Sequence, residues 1–310
     1  MAIRKADIGT KFAGWLGLLH PPFHTVGIFP FILGTVLAWR LDSSFNITTL
    51  ILSILGVVLV MLATYHAEEY FSREEDERSK RLFRHRSAGG AGAILDEIRS
   101  PRSLALLISL ITGSLAMIIG FILQFVLHTG QLTLVLGCVG ALPGFFYSTR
   151  LIHLFEKGFG ELFTGFCYGW LPLAATFYLQ RGYIAPWIHW MALPIGLSIF
   201  NVILLNEFPD YSADATVGKT NLLLRLGKDT GMSVYVLCSI LSWFCMYFSI
   251  GAGIPGKALY LYLPVMALSA WISLMMARGK YENPLLLELL CGLNIAVNLG
   301  TTVAYMLAFL

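Results

Sequence analysis

Three polar side chains recur at four-residue intervals near the end of a long apolar segment. They are Asn206, Asp210 and Asp214, in the stretch NEFPDYSADATVGKTNLLLRLG. On a continuous helix, residues four apart share one face, so the two carboxylates lie next to each other. They repel unless a divalent cation lies between them, and oxygen-only ligands suit Mg²⁺. Because Mg²⁺ commonly takes part of its coordination shell from substrate phosphates, the spacing predicts a site for a magnesium-bound diphosphate.

A second acidic cluster follows another apolar segment, in the stretch TYHAEEYFSREEDERSKRLFRHRSAGG. Glu68, Ser72 and Asp76 repeat the four-residue spacing, and Glu69 stands beside Glu68. An uncompensated carboxylate at the end of a membrane helix is costly, which separates Glu68 and Glu69 from ordinary surface charges. The two clusters together predict paired metal sites, with Glu68, Glu69 and Asp76 as ligands on the second side.

Basic residues accompany the two acidic clusters. A Lys or Arg side chain can donate charge-assisted hydrogen bonds to a diphosphate. The alternative for each of them is ordinary anchoring of a loop by positive charge. The candidates for diphosphate binding are Arg73, Arg150, Lys157 and Lys219.

The composition indicates that a lipid bilayer surrounds the elements that position these groups. The chain has 310 residues, of which 57% are hydrophobic and 13% charged, whereas about a quarter of a soluble domain is charged. So few charges cannot cover a water-facing surface of this size. The net charge of +3 gives no indication of a nucleic-acid partner. The five cysteines show neither metal-ligand spacing nor a disulfide pattern.

Nine apolar windows are candidates for membrane helices, each of which needs about 20 apolar residues. The windows are residues 14–39, 47–67, 103–127, 132–148, 160–179, 185–206, 231–250, 258–277 and 285–308. The N-terminal segment and the loops on the same side of the membrane hold 18 of the 21 Lys and Arg residues. This asymmetry predicts a cytoplasmic N-terminus and a C-terminus outside. In the last window, Asn294 and Asn298 predict hydrogen bonds between helices.

Two of the predicted cytoplasmic loops are long, and both acidic clusters lie in or beside them. These loops, about residues 68–102 and 207–230, are interpreted as cap segments after helices 2 and 6. The remaining inner loops are short turns. We therefore expect a single all-α, polytopic membrane domain over residues 1–310, with no obligate protein partner.

Four stretches of the sequence resemble the UbiA superfamily of intramembrane prenyltransferases. HPPFHTVGIFPFILGTVLAW resembles the family's first helix, and SAGGAGAILDE the loop after its first acidic motif. GFFYSTRLIHLFEKGFGELFTGFCYGWLPLAATFYLQRG resembles helices four and five of the branch that prenylates 1,4-dihydroxy-2-naphthoate for menaquinone. DYSADATVGKTNLLLRLG matches the second acidic motif, D-x-x-x-D followed by Gly-Lys and Arg-Leu-Gly.

The resemblance implies nine helices around a central, lipid-open cavity, and a multi-pass enzyme of a prokaryotic cell membrane. It also implies Mg²⁺-assisted loss of diphosphate from a polyprenyl donor. The expected reaction moves the polyprenyl group to a small aromatic acceptor, naphthoate-like or benzoate-like, in quinone and isoprenoid biosynthesis. Two Mg²⁺ ions are expected. The predicted catalytic residues are Glu68, Glu69, Asp76, Asp210 and Asp214.

The first motif departs from the family pattern N-D-x-x-D-x-x-x-D. Glu68, Glu69 and Ser72 stand at its first three defined positions, and Asp76 matches the fourth. This departure raises a second hypothesis, a UbiA-type terpene cyclase that ionises a prenyl diphosphate without an acceptor. A transporter or lipid-binding protein is a third hypothesis, although transporter sites lie near the bilayer midplane and these acids lie at its edge.

A further group of residues is predicted to line the cavity or to contact the acceptor. His66 lies three residues before Glu69 and is either a proton acceptor or a polar helix end. The family often has a basic residue near His20, and Glu161 is a candidate for orienting Lys157 or an acceptor hydroxyl. The complete group is His20, His66, Tyr147, Glu161 and Asn206.

Overall fold

The computed structural model describes residues 21–82, 102–146, 160–218 and 220–310, and its regular elements in these ranges are all helical. The helices are α1 (Pro21–Asp42), α2 (Ile47–Leu82), α3 (Arg102–Phe121), α4 (Thr133–Phe146), α5 (Gly160–Arg181), α6 (Pro186–Val217), α7 (Leu222–Leu226), α8 (Lys228–Gly251), α9 (Lys257–Ala277) and α10 (Pro284–Phe309). A π-helical turn, Ile122–Val126, extends α3, and a second one, Phe166–Trp170, lies within α5. A short 3₁₀ turn, Lys280–Glu282, precedes α10. The predicted all-α class is confirmed.

Eight of the described helices are long and apolar enough to cross a membrane. They correspond to eight of the nine predicted windows. The helix in the remaining window, α4, has 14 residues, fewer than the roughly 20 that a full crossing requires. A count of nine crossings therefore stays a prediction, whereas the multi-pass character of the chain follows from the other eight helices.

Several helices begin and end at residues that favour those positions. Helices α6 and α10 begin with Pro186 and Pro284, at a position where the missing N–H costs no helical hydrogen bond. Asn283 caps α10, because its Oδ1 accepts a hydrogen bond from the Leu286 N–H at 3.1 Å. Helix α5 ends at Gly182, whose φ of 80° is the left-handed conformation that glycine adopts without strain.

Helix α6 is the central element of the bundle. In α6, 67% of the most apolar segment is buried within the protein. The corresponding share for α3 is 17%, so most of the surface of α3 is available to contact lipid. Buried polar side chains hold neighbouring helices to the centre. Asn298 Nδ2 on α10 donates to Ser198 Oγ on α6 at 2.8 Å, and Tyr235 Oη on α8 donates to Asn294 Oδ1 at 2.9 Å. The predicted interhelical role of the two asparagines is confirmed.

Hydrogen bonds between helix ends define the two ends of the bundle. At one end, Arg40 Nη2 donates to the carbonyl oxygen of Leu310 at 2.8 Å, so the C-termini of α1 and α10 are adjacent. At the other end, Tyr281 Oη donates to Asp229 Oδ1 at 2.9 Å and joins the 3₁₀ turn to the start of α8. This second end also carries the polar network described below. The orientation of the two ends relative to the cytoplasm stays a prediction.

Helices α5 and α6 cross at a contact between glycines. A Cβ atom at Gly169 would lie 2.5 Å from the Cα of Gly196, and a Cβ at Gly165 would lie 2.9 Å from the Gly196 carbonyl oxygen. Side chains larger than hydrogen would therefore separate the two backbones. Small residues at such crossings are typical of membrane helix packing.

We expect Gly169→Ala to destabilise the detergent-solubilised protein by about 1–3 kcal/mol, the usual cost of overpacking. The measurement is the thermal unfolding midpoint of the purified protein. Gly137→Ala is the matched control, because a Cβ at Gly137 on α4 has no neighbour within 4 Å. An unchanged midpoint for Gly169→Ala, or an equal loss for both variants, would contradict the close crossing.

Candidate active site

The second acidic motif lies on an unbroken helix. Helix α6 continues past Pro209 to Val217, so Asn206, Asp210 and Asp214 occupy successive turns of one face, as their spacing predicts. Asp214 is buried, and the other two are half-buried. The helix ends one turn later at Gly218, which has a φ of 81° and donates its N–H to the Asp214 carbonyl oxygen.

The first acidic motif lies near the end of α2, which contacts α6. Glu69 is buried, whereas the adjacent Glu68 is exposed. The two carboxyl groups therefore point to different surroundings although they are neighbours in sequence. Arg73 and Asp76 lie on the same helix, and their side chains are outside the described part of the structure.

Three aromatic side chains next to the first motif come from three helices. The hydroxyl oxygens of Tyr65 on α2 and Tyr168 in the π-helical turn of α5 are 2.9 Å apart. The His24 ring of α1 stacks on Tyr65, with ring centroids 5.4 Å apart and planes inclined by 18°. The Glu68 carboxylate interacts electrostatically with both tyrosines. The arrangement presents hydroxyl groups and flat rings beside the acidic end of α2.

His66 has a partner within its own helix. Its Nδ1 is 2.7 Å from the carbonyl oxygen of Leu62, four residues earlier on α2, and the ring is buried. A contact with the carbonyl four residues earlier is a usual way for a polar side chain within a helix to find a hydrogen-bond partner. A role for His66 in the cavity stays a prediction.

A third group of carboxylates surrounds the short helix α7. Glu161, at the start of α5, is fully buried, and its Oε1 accepts a hydrogen bond from the Leu222 N–H at 3.0 Å. Glu207, on α6, is also buried, and its Oε2 accepts from the Leu223 N–H at 3.2 Å. The predicted role of Glu161 in orienting Lys157 or an acceptor hydroxyl stays a prediction, and among the described residues its carboxylate accepts from the backbone of α7.

Asn221 connects α7 to the second acidic motif. Its Oδ1 accepts from the Leu224 N–H at 2.9 Å, which caps α7, and its Nδ2 donates to Asp214 Oδ2 at 3.2 Å. The asparagine side chain is fully buried. The position of the Asp214 carboxylate is therefore coupled to that of α7.

Sequence reasoning missed Glu207, Asn221 and the aromatic group. A carboxylate directly after the apolar window 185–206, next to Asn206, was the available signal for Glu207. Tyr65 stands one helical turn before Glu69, which was a weaker signal. Nothing in the sequence distinguishes Tyr168 from other tyrosines in the apolar windows.

Within residues 21–82, 102–146, 160–218 and 220–310, no group of three or more His, Cys, Asp and Glu side chains is arranged to hold a metal ion. Mg²⁺ is commonly bound through one or two carboxylates, with water and substrate phosphates completing the shell. The Asp210 and Asp214 pair, four residues apart, fits that mode of binding.

Several predicted site residues fall outside the described part of the chain, and their roles stay predictions. Two basic residues near the motif are described. Arg225 Nε donates to the Thr220 carbonyl oxygen at 3.1 Å, and Lys228 Nζ lies 5.1 Å from the centre of the Tyr211 ring. The predicted residues outside the described ranges are His20, Tyr147, Arg150, Lys157 and Lys219.

The fold and these residues define a class, that of multi-pass helical membrane proteins with acidic residues at one end of the bundle. Comparison with known families identifies the group within this class. A sequence model of the UbiA prenyltransferase family matches residues 27–286. The chain belongs to this family, and the prediction that it is a prenyltransferase is confirmed.

Individual relatives agree with the family assignment. The 1,4-dihydroxy-2-naphthoate octaprenyltransferase of Bacillus subtilis is 21% identical over 291 residues, which cover 94% of this chain and 89% of the relative. The Escherichia coli protein of the same name is 24% identical and covers 71% of this chain and 70% of its own length. A UbiA homologue from Archaeoglobus fulgidus, solved bound to GPP and Mg²⁺, superposes with a TM-score of 0.67 at 13% identity, covering 94% of this chain and 99% of that one.

Proposed function

We propose that this protein transfers a polyprenyl group from its diphosphate to a small aromatic acceptor, naphthoate-like or benzoate-like, in a Mg²⁺-dependent reaction. The observation that carries the proposal is the pair of carboxylates on α6, Asp210 and Asp214, one of them buried and held by Asn221. The names of the Bacillus subtilis and Escherichia coli relatives support the acceptor class. The Archaeoglobus fulgidus homologue bound to GPP and Mg²⁺ supports the donor and the metal.

The acidic residues of both motifs would hold the metal ions. Asp210 and Asp214, with Asn206, provide oxygen ligands on α6. Bound Mg²⁺ neutralises the diphosphate and makes it a better leaving group. Two ions would be held in all, one by the acids of each motif. The proposed ligands on α2 are Glu68, Glu69 and Asp76.

Basic residues at the same end of the bundle would bind the leaving group. Lys and Arg donors strengthen their contacts with phosphate oxygens when the negative charge on those oxygens increases. Such differential binding lowers the barrier to bond cleavage. The proposed donors are Arg73, Arg150, Lys157 and Lys219.

The group transfer itself needs no covalent intermediate with the protein. The C–O bond of the prenyl diphosphate breaks, and its electron pair leaves with the diphosphate. The allylic cation then forms a C–C bond with an electron-rich carbon of the acceptor ring. The ring recovers its aromaticity by losing an electrophilic substituent, in the simplest case a proton.

The aromatic group of His24, Tyr65 and Tyr168 is the proposed contact for the acceptor. Its hydroxyl groups can hydrogen-bond to acceptor oxygens, and its stacked rings can pack against an aromatic ring. The group lies beside the α2 acids, so an acceptor bound there would be close to the leaving diphosphate. Aromatic faces also stabilise a nearby carbocation.

A terpene cyclase is the second candidate function. It is favoured by the first motif, in which Glu68, Glu69 and Ser72 replace the family residues. Ionisation would be the same, but the cation would close on its own chain. A transporter or lipid-binding role has no such support, and membership of a transferase family favours an enzyme.

The deciding experiment supplies the reconstituted protein with geranyl diphosphate, 1,4-dihydroxy-2-naphthoate and Mg²⁺. We expect diphosphate release and a prenylated product detected by mass spectrometry, both abolished by EDTA. A cyclic hydrocarbon or alcohol formed without acceptor would establish the cyclase instead. If neither product nor diphosphate appears with any naphthoate or benzoate acceptor, the proposed function is wrong.

Asp210→Asn and Asp214→Asn should each lower the rate of diphosphate release by about 10²–10³-fold, the usual effect of removing one electrostatic contact to a transition state. Each change replaces a metal-binding carboxylate with a neutral amide of the same shape. Glu282→Gln is the control, because it makes the same chemical change in the exposed 3₁₀ turn at the same end of the bundle. Equal rates for all three variants would rule out a metal role for the α6 motif.

Tyr65→Phe and Tyr168→Phe should raise KM for the acceptor several-fold and leave KM for the prenyl diphosphate unchanged, because each removes a hydroxyl group proposed to bind the acceptor. Steady-state kinetics with each substrate varied in turn make the measurement. Tyr247→Phe, at a side chain that is 59% exposed on α8, is the control. If only the KM for the prenyl diphosphate changed, the proposal that the acceptor binds at these tyrosines would be wrong.

A further inference from the structure

Two buried carboxyl groups lie inside the bundle next to the acidic motif of α6. Glu161 and Glu207 are 0% and 6% exposed, and an unpaired charge at such a place is costly. Their Oε2 and Oε1 atoms, respectively, are buried and accept no hydrogen bond from the described part of the chain. The two carboxyl groups lie within reach of each other, and both also accept hydrogen bonds from the backbone of α7.

The remaining oxygens of this pair hold the first turn of α7. The N–H groups of Leu222 and Leu223 donate to Glu161 and Glu207, and Asn221 caps the next N–H. The first N–H groups of a helix have no partner within it, and a helix of five residues is not stable alone. The two carboxyl groups therefore supply hydrogen-bond acceptors for the first N–H groups of α7, and they attach α7 to both α5 and α6.

Apolar burial completes the attachment of α7. Leu223 is fully buried and packs in a cluster with Phe208 of α6 and Tyr235 of α8. The carboxyl groups thus bind the backbone of α7, and the Leu223 side chain packs α7 against its neighbours. Both keep Asn221 at a constant distance from α6.

We infer that Glu161 and Glu207 are positioning residues, a carboxyl pair that anchors α7 and, through Asn221, sets the place of the Asp214 carboxylate. This inference rests on the proposed function insofar as Asp214 is a metal ligand. Asn221 Nδ2 contacts one oxygen of that carboxylate at 3.2 Å. Release of α7 from the pair would withdraw this donor from the Asp214 carboxylate.

Glu207→Ala and Glu207→Gln are the central comparison. The alanine removes the acceptor of the Leu223 N–H and the contact with Glu161. The glutamine keeps an oxygen for that N–H, and its NH₂ group can donate a hydrogen bond to Glu161. Asn221→Ala tests the contact between Asn221 and Asp214 alone, because it leaves the carboxyl pair in place and removes the donor to Asp214.

Two measurements that do not require turnover test the inference. Amide hydrogen exchange of the segment 220–226 reports the anchoring of α7. Binding of Mn²⁺, as a spectroscopic substitute for Mg²⁺, in the presence of geranyl thiolodiphosphate reports the metal site. We expect faster exchange and a loss of about 10-fold to 100-fold in Mn²⁺ affinity for Glu207→Ala, the range found when partners of metal ligands are removed.

The same measurements on the other variants complete the test. Glu207→Gln should behave nearly as the unmodified protein, and Asn221→Ala should lose Mn²⁺ affinity. Asn283→Ala is the matched control, because it removes a capping asparagine from α10 at the same end of the bundle and should leave Mn²⁺ affinity unchanged. If Glu207→Ala does not fold, Glu207→Gln, Asn221→Ala and the control still decide the question.

Three results would overturn the inference. The first is hydrogen exchange and Mn²⁺ affinity in Glu207→Ala that equal those of the unmodified protein. The second is an equal loss of Mn²⁺ affinity in Glu207→Gln and Glu207→Ala. The third is a loss of Mn²⁺ affinity in Asn283→Ala as large as that in Glu207→Ala. Failure of the proposed function has a different signature. In that case the exchange and Mn²⁺ results follow the expected pattern, but no prenylated product forms with any acceptor.

Discussion

Carboxylates within an apolar helical bundle need a compensating partner, and this requirement governs the organisation of the site. A buried ionised carboxylate without a partner is strongly unfavourable. Spanning helices offer few donors, because their backbone N–H groups are already bonded internally. Free N–H groups exist at helix N-termini. Helix α7 brings such groups back against α5 and α6, and Glu161 and Glu207 use two of them.

The same requirement explains why this end of the bundle is built from a long helix followed by a short one. Helix α6 carries its acids past Pro209 and stops at Gly218, whose left-handed conformation reverses the chain. The reversal allows Asn221 to return to Asp214 and α7 to face Glu207. A straight continuation of α6 would carry these donors away from the carboxylates. The close crossing at Gly169 and Gly196 keeps α5 near enough for Glu161 to take part.

The sequence was sufficient for features that depend on local periodicity. Apolar windows predicted the helices, and four-residue spacing placed Asp210 and Asp214 on one face, because both arise within a single helix. Glu207 and Asn221 could not be assigned, since their partners depend on how the chain folds back after Gly218. Tyr168 depends on the π-helical turn in α5, which inserts an extra residue into that turn and changes the face that Tyr168 presents.

The two acidic motifs differ in how their carboxylates can share a metal ion. Asp210 and Asp214 are four residues apart, so their Cβ atoms lie about 5–6 Å from each other and both can reach one ion. On α2, Glu69 and Asp76 are seven residues apart and share a face, but about 10.5 Å of helix rise separates them. Ser72, which lies between them, provides no carboxylate to bridge that distance. Under the proposed function, the α2 ligands Glu68, Glu69 and Asp76 would therefore be spread over a longer stretch of helix than the α6 pair, and an ion there would depend more on phosphate oxygens. An ion at α6 would have two carboxylates available on one face, and Asn221 helps to fix the position of one of them.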